Sequence, residues 1–321
     1  MTIDSETHNI PHATVLTIVQ TLTAGTGQVD VLGLHGSCGA HLLAQLMESE
    51  RRTLLVVVPD QRQARTLFEE LRFYSGSDNT VWYLPHWEMR PYEALTPHAE
   101  VEATRLEALA ALASGRAKVV VLPVRALLQR VIPWEVLAEL SESLVVGEDY
   151  PRQPLLKRLQ ELGYQPVALV EDRGSFSARG DIVDLFPPTG DRPLRLDFFG
   201  DTLEKIRSFD PGTQRSAEGS FKTFDLQPAR EMVLAGRHLD TFLANLKERC
   251  DDLGLPRSVR EEVAEEAREG LLAPGRCFLL PLNYGRLDSL FDYAGNARWV
   301  LQDPGGIERE VDSFSAEIQH G

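Results

Sequence analysis

TLLVVVPDQRQARTLFEELRFYSG, residues 53–76, decides the fold class. Thr53 to Val58 is an apolar run rich in β-branched residues, the pattern of a strand buried on both faces. Asp60 then stands where a helix N-cap accepts a backbone N–H. From there Ala64, Leu67, Phe68 and Leu71 recur at i, i+3, i+4 and i+7, one face of a helix, and Gly76 sits at the expected C′ position. A buried strand followed by an amphipathic helix is a βα unit, and the rest of the chain is read outward from it.

Upstream, Val29 to Leu34 reads as a short strand, His35 to Gly39 as a turn, and Ala40 to Ser49 as a helix with Leu42, Leu43 and Leu46 on one face. Residues 12–24 read as a short leading helix. Downstream, Val81 to Leu84 is a strand, and Thr96 followed by Pro97 at N1 opens a helix through Ala113 that stops at Gly115. Lys118 to Leu122 is the next strand and Pro123 to Arg130 returns to helix. Alternation of this kind implies a parallel sheet covered on both faces by helices. The character changes at Pro133 and Trp134. From there to Leu226 the pattern holds one clear helix, Leu155 to Leu162, and a series of strands, an α+β insert. Beyond Pro228 helices return, with Ser258 and Glu261 as a capping box for a helix from Val259 to Leu271. Arg298 to Leu301 reads as a strand that rejoins the first domain. The expected segments are a helical lead (1–24), a first α/β half (25–132), an inserted α+β domain (133–227), a second α/β half (228–312) and a polar tail (313–321).

With 321 residues, 43% hydrophobic and 25% charged, the composition is that of a globular chain with room for two or three domains. The net charge of -15 opposes phosphate backbones and argues against autonomous DNA or RNA binding. Cys38, Cys250 and Cys277 form neither a CxxC pair nor an even disulfide set, which implies a reduced, cytoplasmic compartment. No HExxH and no Cys/His cluster with zinc spacing is present, so no metal is expected. The first residues lack the order of a signal peptide, and no apolar run approaches the ~20 residues of a membrane span.

The insert carries the most informative stretch, FSARGDIVDLFPPTGDRPLRLDFFGDTLEKIRSFDPGTQR, residues 176–215. Leu194, Leu196 and Phe198 alternate with Arg195, Asp197 and Phe199, so a strand buries the first set and presents the second. Gly200 and Asp201 read as a tight hairpin turn into a second strand, Thr202 to Phe209. An outward arginine and phenylalanine, with no His, Ser or Cys beside them, compose a protein-binding hot spot rather than a catalytic centre. The pattern also fits a plainer arrangement, in which Arg179 and Arg195 pair across the sheet with Asp181, Asp184 or Asp197.

GLHGSCGA, residues 33–40, lies between strand and helix where a phosphate-binding P-loop would lie. The working motif, GxxxxGK[ST], needs a Lys for the β and γ phosphates and a hydroxyl for Mg²⁺. Starting at Gly33 places Cys38, Gly39 and Ala40 at the G-K-T positions; sliding by one places Gly39, Ala40 and His41 there. Neither frame has the Lys or the hydroxyl. Gly36 and its neighbours keep the turn and a helix N-terminus that still attracts phosphate, without the groups for Mg-ATP hydrolysis.

The run FxxRGDxVDLFP, followed by RLDFFGDxLExIRxFD and TQR, resembles the second domain of the UvrB homology module. The TQR ending and the WExxPYE run at 87–93 make the chain more similar to the transcription-repair coupling factors (Mfd) than to UvrB itself. The resemblance spans nearly the whole chain from about residue 25. It implies a helicase-like, P-loop NTPase-like α/β fold with a degenerate nucleotide site, and a middle domain that binds UvrA, the damage-recognition subunit of nucleotide excision repair. The family's UvrA-contacting positions fall on Arg179, Arg195 and Phe199. Ser289 to Asp303 resembles the place of the UvrB Walker B strand, and there the carboxylate position reads Gln302, followed by Asp303. Gln supplies no charge for hydrated Mg²⁺. The segment Pro85 to Thr96 is too short for the long DNA-probing hairpin of UvrB; its Trp87 and Tyr92 either stack on bases or pack the turn on the core. The resemblance thus implies a cytoplasmic, non-catalytic adaptor of transcription-coupled repair that needs no cofactor. ATP, Mg²⁺, double-stranded DNA and RNA polymerase would belong to parts beyond this chain, a C-terminal domain would mask the UvrA face in the whole protein, and no membrane is involved. The chain is expected to be a fragment or isolated module. Two competing readings are an active UvrB-like nucleotide-dependent DNA repair helicase fragment, which specific Mg-ATP binding would reveal, and a UvrB-like DNA-binding protein, which the acidity disfavours.

Overall fold

The computed structural model describes residues 14–25, 27–76, 80–90, 93–188, 192–217, 219–270 and 272–320. In chain order the first elements are α1 (Val15–Ala24), α2 (Cys38–Ser49), β1 (Leu54–Val58), α3 (Gln61–Ser75), β2 (Val81–Tyr83), α4 (Ala99–Ala113), β3 (Val119–Pro123) and α5 (Val124–Leu128). The middle holds α6 (Trp134–Leu140), β4 (Glu142–Val145), α7 (Arg152–Glu161), β5 (Gln165–Pro166), β6 (Ser175–Arg179), β7 (Ile182–Phe186), β8 (Leu194–Phe199), β9 (Thr202–Ser208) and β10 (Thr223–Leu226). Last come α8 (Gly236–Asp252), α9 (Arg257–Arg268), α10 (Leu280–Tyr284), α11 (Leu290–Ala294), β11 (Arg298–Leu301) and α12 (Pro304–His320).

Contacts divide the chain into two compact units. The first comprises residues 1–86, 114–128 and 294–315, the second 87–113, 129–293 and 316–321. This contact division puts α4 and the helices α8 to α11 with the inserted sheets, a grouping that linear segmentation at 132/133 and 227/228 does not give.

The first unit is built on a parallel sheet of order β11-β1-β3-β2. All five residues of β1 and of β3 are buried, as a doubly covered central strand requires. Leu54, Val56 and Val58 share one face with Val119 and Val121, and this face packs on Leu42, Leu43 and Leu46 of α2 and on Ala64, Leu67 and Leu71 of α3. Asp60 caps α3 as expected, accepting from the Gln63 amide at 2.8 Å. β11 joins β1 in parallel from Leu54↔Arg298 to Val57↔Leu301, so a strand some 240 residues downstream completes the sheet. Glu50, just past α2, fastens that edge. Arg52 at 2.9 Å and Arg298 at 2.8 Å, in that order of effect, hold its carboxyl well down, at about 2.

Several local expectations need correction. Residues 29–34 form no strand: Leu32 is 91% exposed, only Val31 reaches the core, and among the described strands β11 pairs with β1 alone. The helix after them begins earlier, at Cys38, and α4 begins at Ala99, with the His98 carbonyl accepting from Val101 and Glu102 in place of a Thr96 cap. The Ser258 capping box is absent. α9 starts at Arg257 behind Pro256, which puts Ser258 inside the helix and turns Glu261 to Arg257 at 2.7 Å; the expected helix end at Leu271 lies outside the described residues. Trp134–Leu140 adds a helix to the insert. Residues 313–320 continue α12, where Phe314 receives the Arg125 guanidinium at 5.0 Å. Of the leading helix, residues 12–13 lie outside the described residues, as do 1–11.

In the second unit, β4 and β10 form an antiparallel pair and the order β5-β6-β7-β8-β9 makes a five-stranded sheet, antiparallel except at β5-β6. Phe176, Val183, Leu185, Leu194, Leu196, Leu203 and Ile206 fill one side of it. This is the alternation read from the sequence. It leaves the other side of β6 to β9 for polar side chains.

Candidate functional site

Register places the candidate residues on that second side. Ser177 of β6 lies opposite Asp184 of β7, Asp184 opposite Arg195 of β8, and Arg195 opposite Arg207 of β9. One pleat further along, Arg179, Ile182, Asp197 and Lys205 form a second row across the same four strands. β8 then shifts register between Asp197 and Phe198 and ends at Phe199, paired with Thr202 across the Gly200-Asp201 turn. Gly200 adopts φ 63°, a left-handed turn position where a side chain is disfavoured. Phe199 is 77% exposed at this tip, so a large aromatic ring stands in solvent beside a charged sheet face. Arg179, Arg195 and Phe199 thus share one face of one sheet.

Their electrostatic situations differ. Arg195 is clamped: Nε and Nη2 donate to the two Asp184 carboxylate oxygens at 2.7 and 2.9 Å, and Nη1 donates to the Gln214 carbonyl at 3.3 Å. Its guanidinium also lies 4.7 Å from the Phe209 ring centre. The Asp184 hydrogen bonds raise the Arg195 pKa against a smaller opposing effect of burial. Gln214 itself sits at φ 60°, a left-handed conformation for a non-glycine residue, held by its side-chain amide donating to the Pro211 and Val170 carbonyls. Arg207 pairs with Asp197, Nη2 to Oδ2 at 2.6 Å. Arg179, by contrast, is exposed and among the described residues has only the Ser177 hydroxyl, 3.4 Å from Nε. The plainer cross-sheet arrangement therefore holds for Arg195 with Asp184 and not for Arg179.

The glycine turn before α2 keeps its shape without a ligand's counter-charges. Gly36 takes φ 54°, Cys38 is exposed, and Gly39 and Ala40 lie in the first helical turn. Ser37, the N-cap, makes no capping bond; its hydroxyl donates to Glu70 of α3 at 2.6 Å, which brings a carboxylate to the mouth of the turn. Gln302 continues the β11 ladder, its amide donating to the Val57 carbonyl at 2.9 Å. Asp303 caps α12: Oδ1 accepts from the Gly306 amide at 3.0 Å and its carbonyl accepts from Ile307. No hydrogen bond or ion pair among the described residues joins the 36–40 turn to Gln302 or Asp303. Among the described residues no group of three His, Cys, Asp or Glu side chains is placed to hold a metal ion.

A buried polar cluster in the second unit escaped sequence reading. Arg105 and Glu231, both 0% exposed, pair at 2.5 Å. Trp87 donates Nε1–H to the same Glu231 oxygen at 3.0 Å, Arg105 donates to Gln129 at 3.2 Å, and the Glu231 amide donates to Glu102 at 3.0 Å. Burial first, then the Glu231 charge, pushes the Glu102 carboxyl up to about 7. Trp87 is thereby committed to packing, with its ring edge-on to Phe278 at 6.3 Å; Tyr92 lies outside the described residues. The only hint in the sequence is a Glu and an Arg three apart in an Ala/Leu-rich helix.

No helix among the described residues is long and apolar enough to cross a membrane. Residues 143–232, which include the whole β6 to β9 face, match the UvrB interaction domain family. Over 95% of its length the chain is 37% identical to the transcription-repair-coupling factor of Myxococcus xanthus. Over 92% it is 29% identical to that of Escherichia coli, and over 68% it is 36% identical to that of Mycobacterium bovis. The chain spans about a quarter of the length of the first two and 18% of the third. Homology along nearly the whole chain, with a UvrB interaction domain in its middle, makes it a UvrB-homology module of the transcription-repair coupling factor family.

Proposed function

We propose that this chain is a non-catalytic adaptor in transcription-coupled nucleotide excision repair that recruits UvrA through the β6 to β9 face. The observation that carries the reading is Phe199, a large ring 77% exposed, on the same sheet face as an exposed Arg179 that forms no ion pair among the described residues, inside the segment that matches the UvrB interaction domain. An aromatic anchor flanked by arginine is the composition of an interface hot spot. Phe199 enters an apolar hollow on UvrA, Arg179 makes a charge-assisted bond to a carboxylate or carbonyl there, and Arg195 holds the face in shape through Asp184 while offering its remaining edge. Titrating the chain into purified UvrA tests this. Phe199→Ala and Arg179→Ala each weaken binding at least tenfold, about 1.4 kcal/mol. Both variants staying within twofold of the parent would remove the face from the interface.

The nucleotide site is retired. With no Lys or hydroxyl at the two P-loop positions that would hold them, and with the Ser37 hydroxyl turned to Glu70, the γ-phosphate meets no cation and one repelling carboxylate, and Mg²⁺ lacks its usual hydroxyl ligand. In the whole protein, RNA-polymerase displacement, DNA translocation and masking of the UvrA face by a C-terminal domain fall to parts outside this chain.

A further inference from the structure

The four cations on the β6 to β9 face are not equivalent. Arg195 and Arg207 are opposite each other in one register pair, and each is neutralised within the sheet, by Asp184 and Asp197 respectively. Arg179 and Lys205 occupy the two ends of the other row, on β6 and β9, with Ile182 and Asp197 between them. Both are exposed, and among the described residues neither forms an ion pair. Asp181 and Glu204, their nearest acidic neighbours in sequence, make no ion pair with them either. Asp197 is already taken by Arg207, so it does not cancel them.

We infer that Lys205 is a further partner-contact residue, and that Arg179 and Lys205 together form a two-pronged cationic clamp around Phe199. The inference rests on the proposed UvrA-binding reading and specifies its chemistry. Three strand spacings separate the two prongs, roughly 14 Å at the Cα level. Phe199 projects from β8, which lies between them. The complementary surface on UvrA therefore presents two acidic side chains that far apart, flanking an apolar hollow. Local charge complementarity selects this occupant: although the chain as a whole carries a net charge of -15, the two exposed cations on this face turn it toward an acidic surface. Exposed charges of this type act on encounter rate and salt dependence more than on packing.

The test is titration into purified UvrA at low and high salt with the parent, Lys205→Ala, Lys205→Glu, Phe199→Ala and the Arg179→Ala/Lys205→Ala double variant. Lys205→Ala lowers affinity roughly three- to tenfold at low salt, Lys205→Glu lowers it further, and the double variant loses most of the salt dependence. Phe199→Ala loses affinity while keeping the salt slope. Circular dichroism checks that the exposed Lys205 variants remain folded. If the parent binds and Phe199→Ala weakens it, but both Lys205 variants bind within twofold of the parent with an unchanged salt slope, the clamp is refuted and the UvrA reading survives. If the parent does not bind at all, both fall.

Discussion

Replacing Arg195 by alanine removes more than a contact residue. Asp184 is 4% exposed, and its carboxylate oxygens have the Arg195 guanidinium as their hydrogen-bond donor. Breaking a fully buried ion pair from one side costs about 3–5 kcal/mol, because the remaining charge stays desolvated. Here the Arg195 side chain is 18% exposed, so water reaches one edge of the pair and the expected cost falls to about 2–3 kcal/mol. Loss of the guanidinium over Phe209 lies within that figure, and the Gln214 carbonyl loses its strut at the same time. Urea unfolding of the parent, Arg195→Ala, Asp184→Asn and the double variant measures these terms. Arg195→Ala loses the most, Asp184→Asn loses less because the arginine keeps Gln214 and water, and the cycle shows a coupling of about 1 kcal/mol or more. Arg195→Lys recovers only part, since a single ammonium does not match both carboxylate oxygens. Arg195→Ala with stability within about 0.5 kcal/mol of the parent would refute the reasoning, and lost UvrA binding could then be read directly as a lost contact.

Other perturbations probe the rest of the molecule. Glu102 has its folded pKa raised from 4.5 to about 7, so the folded state holds a proton that the unfolded chain releases. Its stabilising contribution is complete below pH about 4.5 and disappears as pH rises through about 7; Glu102→Gln flattens that fall, on the order of 3 kcal/mol, in a pH series of denaturation midpoints. A methyl group at Gly306 would lie 2.2 Å from Asp303 Oδ2 and 2.7 Å from Pro59 Cγ, so Gly306→Ala strains the α12 cap and lowers stability by about 1–3 kcal/mol in a thermal melt. Millimolar Mg-ATP releases no phosphate above the protein-free blank and leaves the melting temperature unchanged; turnover abolished by a change at Cys38 to Ala40 would overturn the retired site.

Legibility followed the range of the interaction. β1 and α3 were readable because a buried run, an Asp cap and an i, i+3, i+4 stripe are all local, and Arg298 to Leu301 because its apolar run sits alone between polar segments. The β8-β9 hairpin was readable from alternation plus Gly200. Residues 29–34 misled because VDVLGL has strand composition, while strand formation depends on an edge being taken, which composition does not encode. Choosing Asp184 over Asp181 and Asp197 as the Arg195 partner needed the register across β7 and β8. Arg105 and Glu231 lie 126 residues apart, and nothing in either neighbourhood announces the other. Phe199 beside Arg195 was legible because a hydrophobic ring on a polar strand face contradicts the local pattern, whereas Arg179 was singled out by the family resemblance alone.

The central claim is that this module carries a working UvrA-binding face by itself. The most direct measurement is calorimetric titration of the unmodified chain into purified UvrA. A saturable heat whose affinity Phe199→Ala weakens at least tenfold, with no nucleotide added to the chain, is the predicted result; no heat of association at tens of micromolar protein would contradict the account.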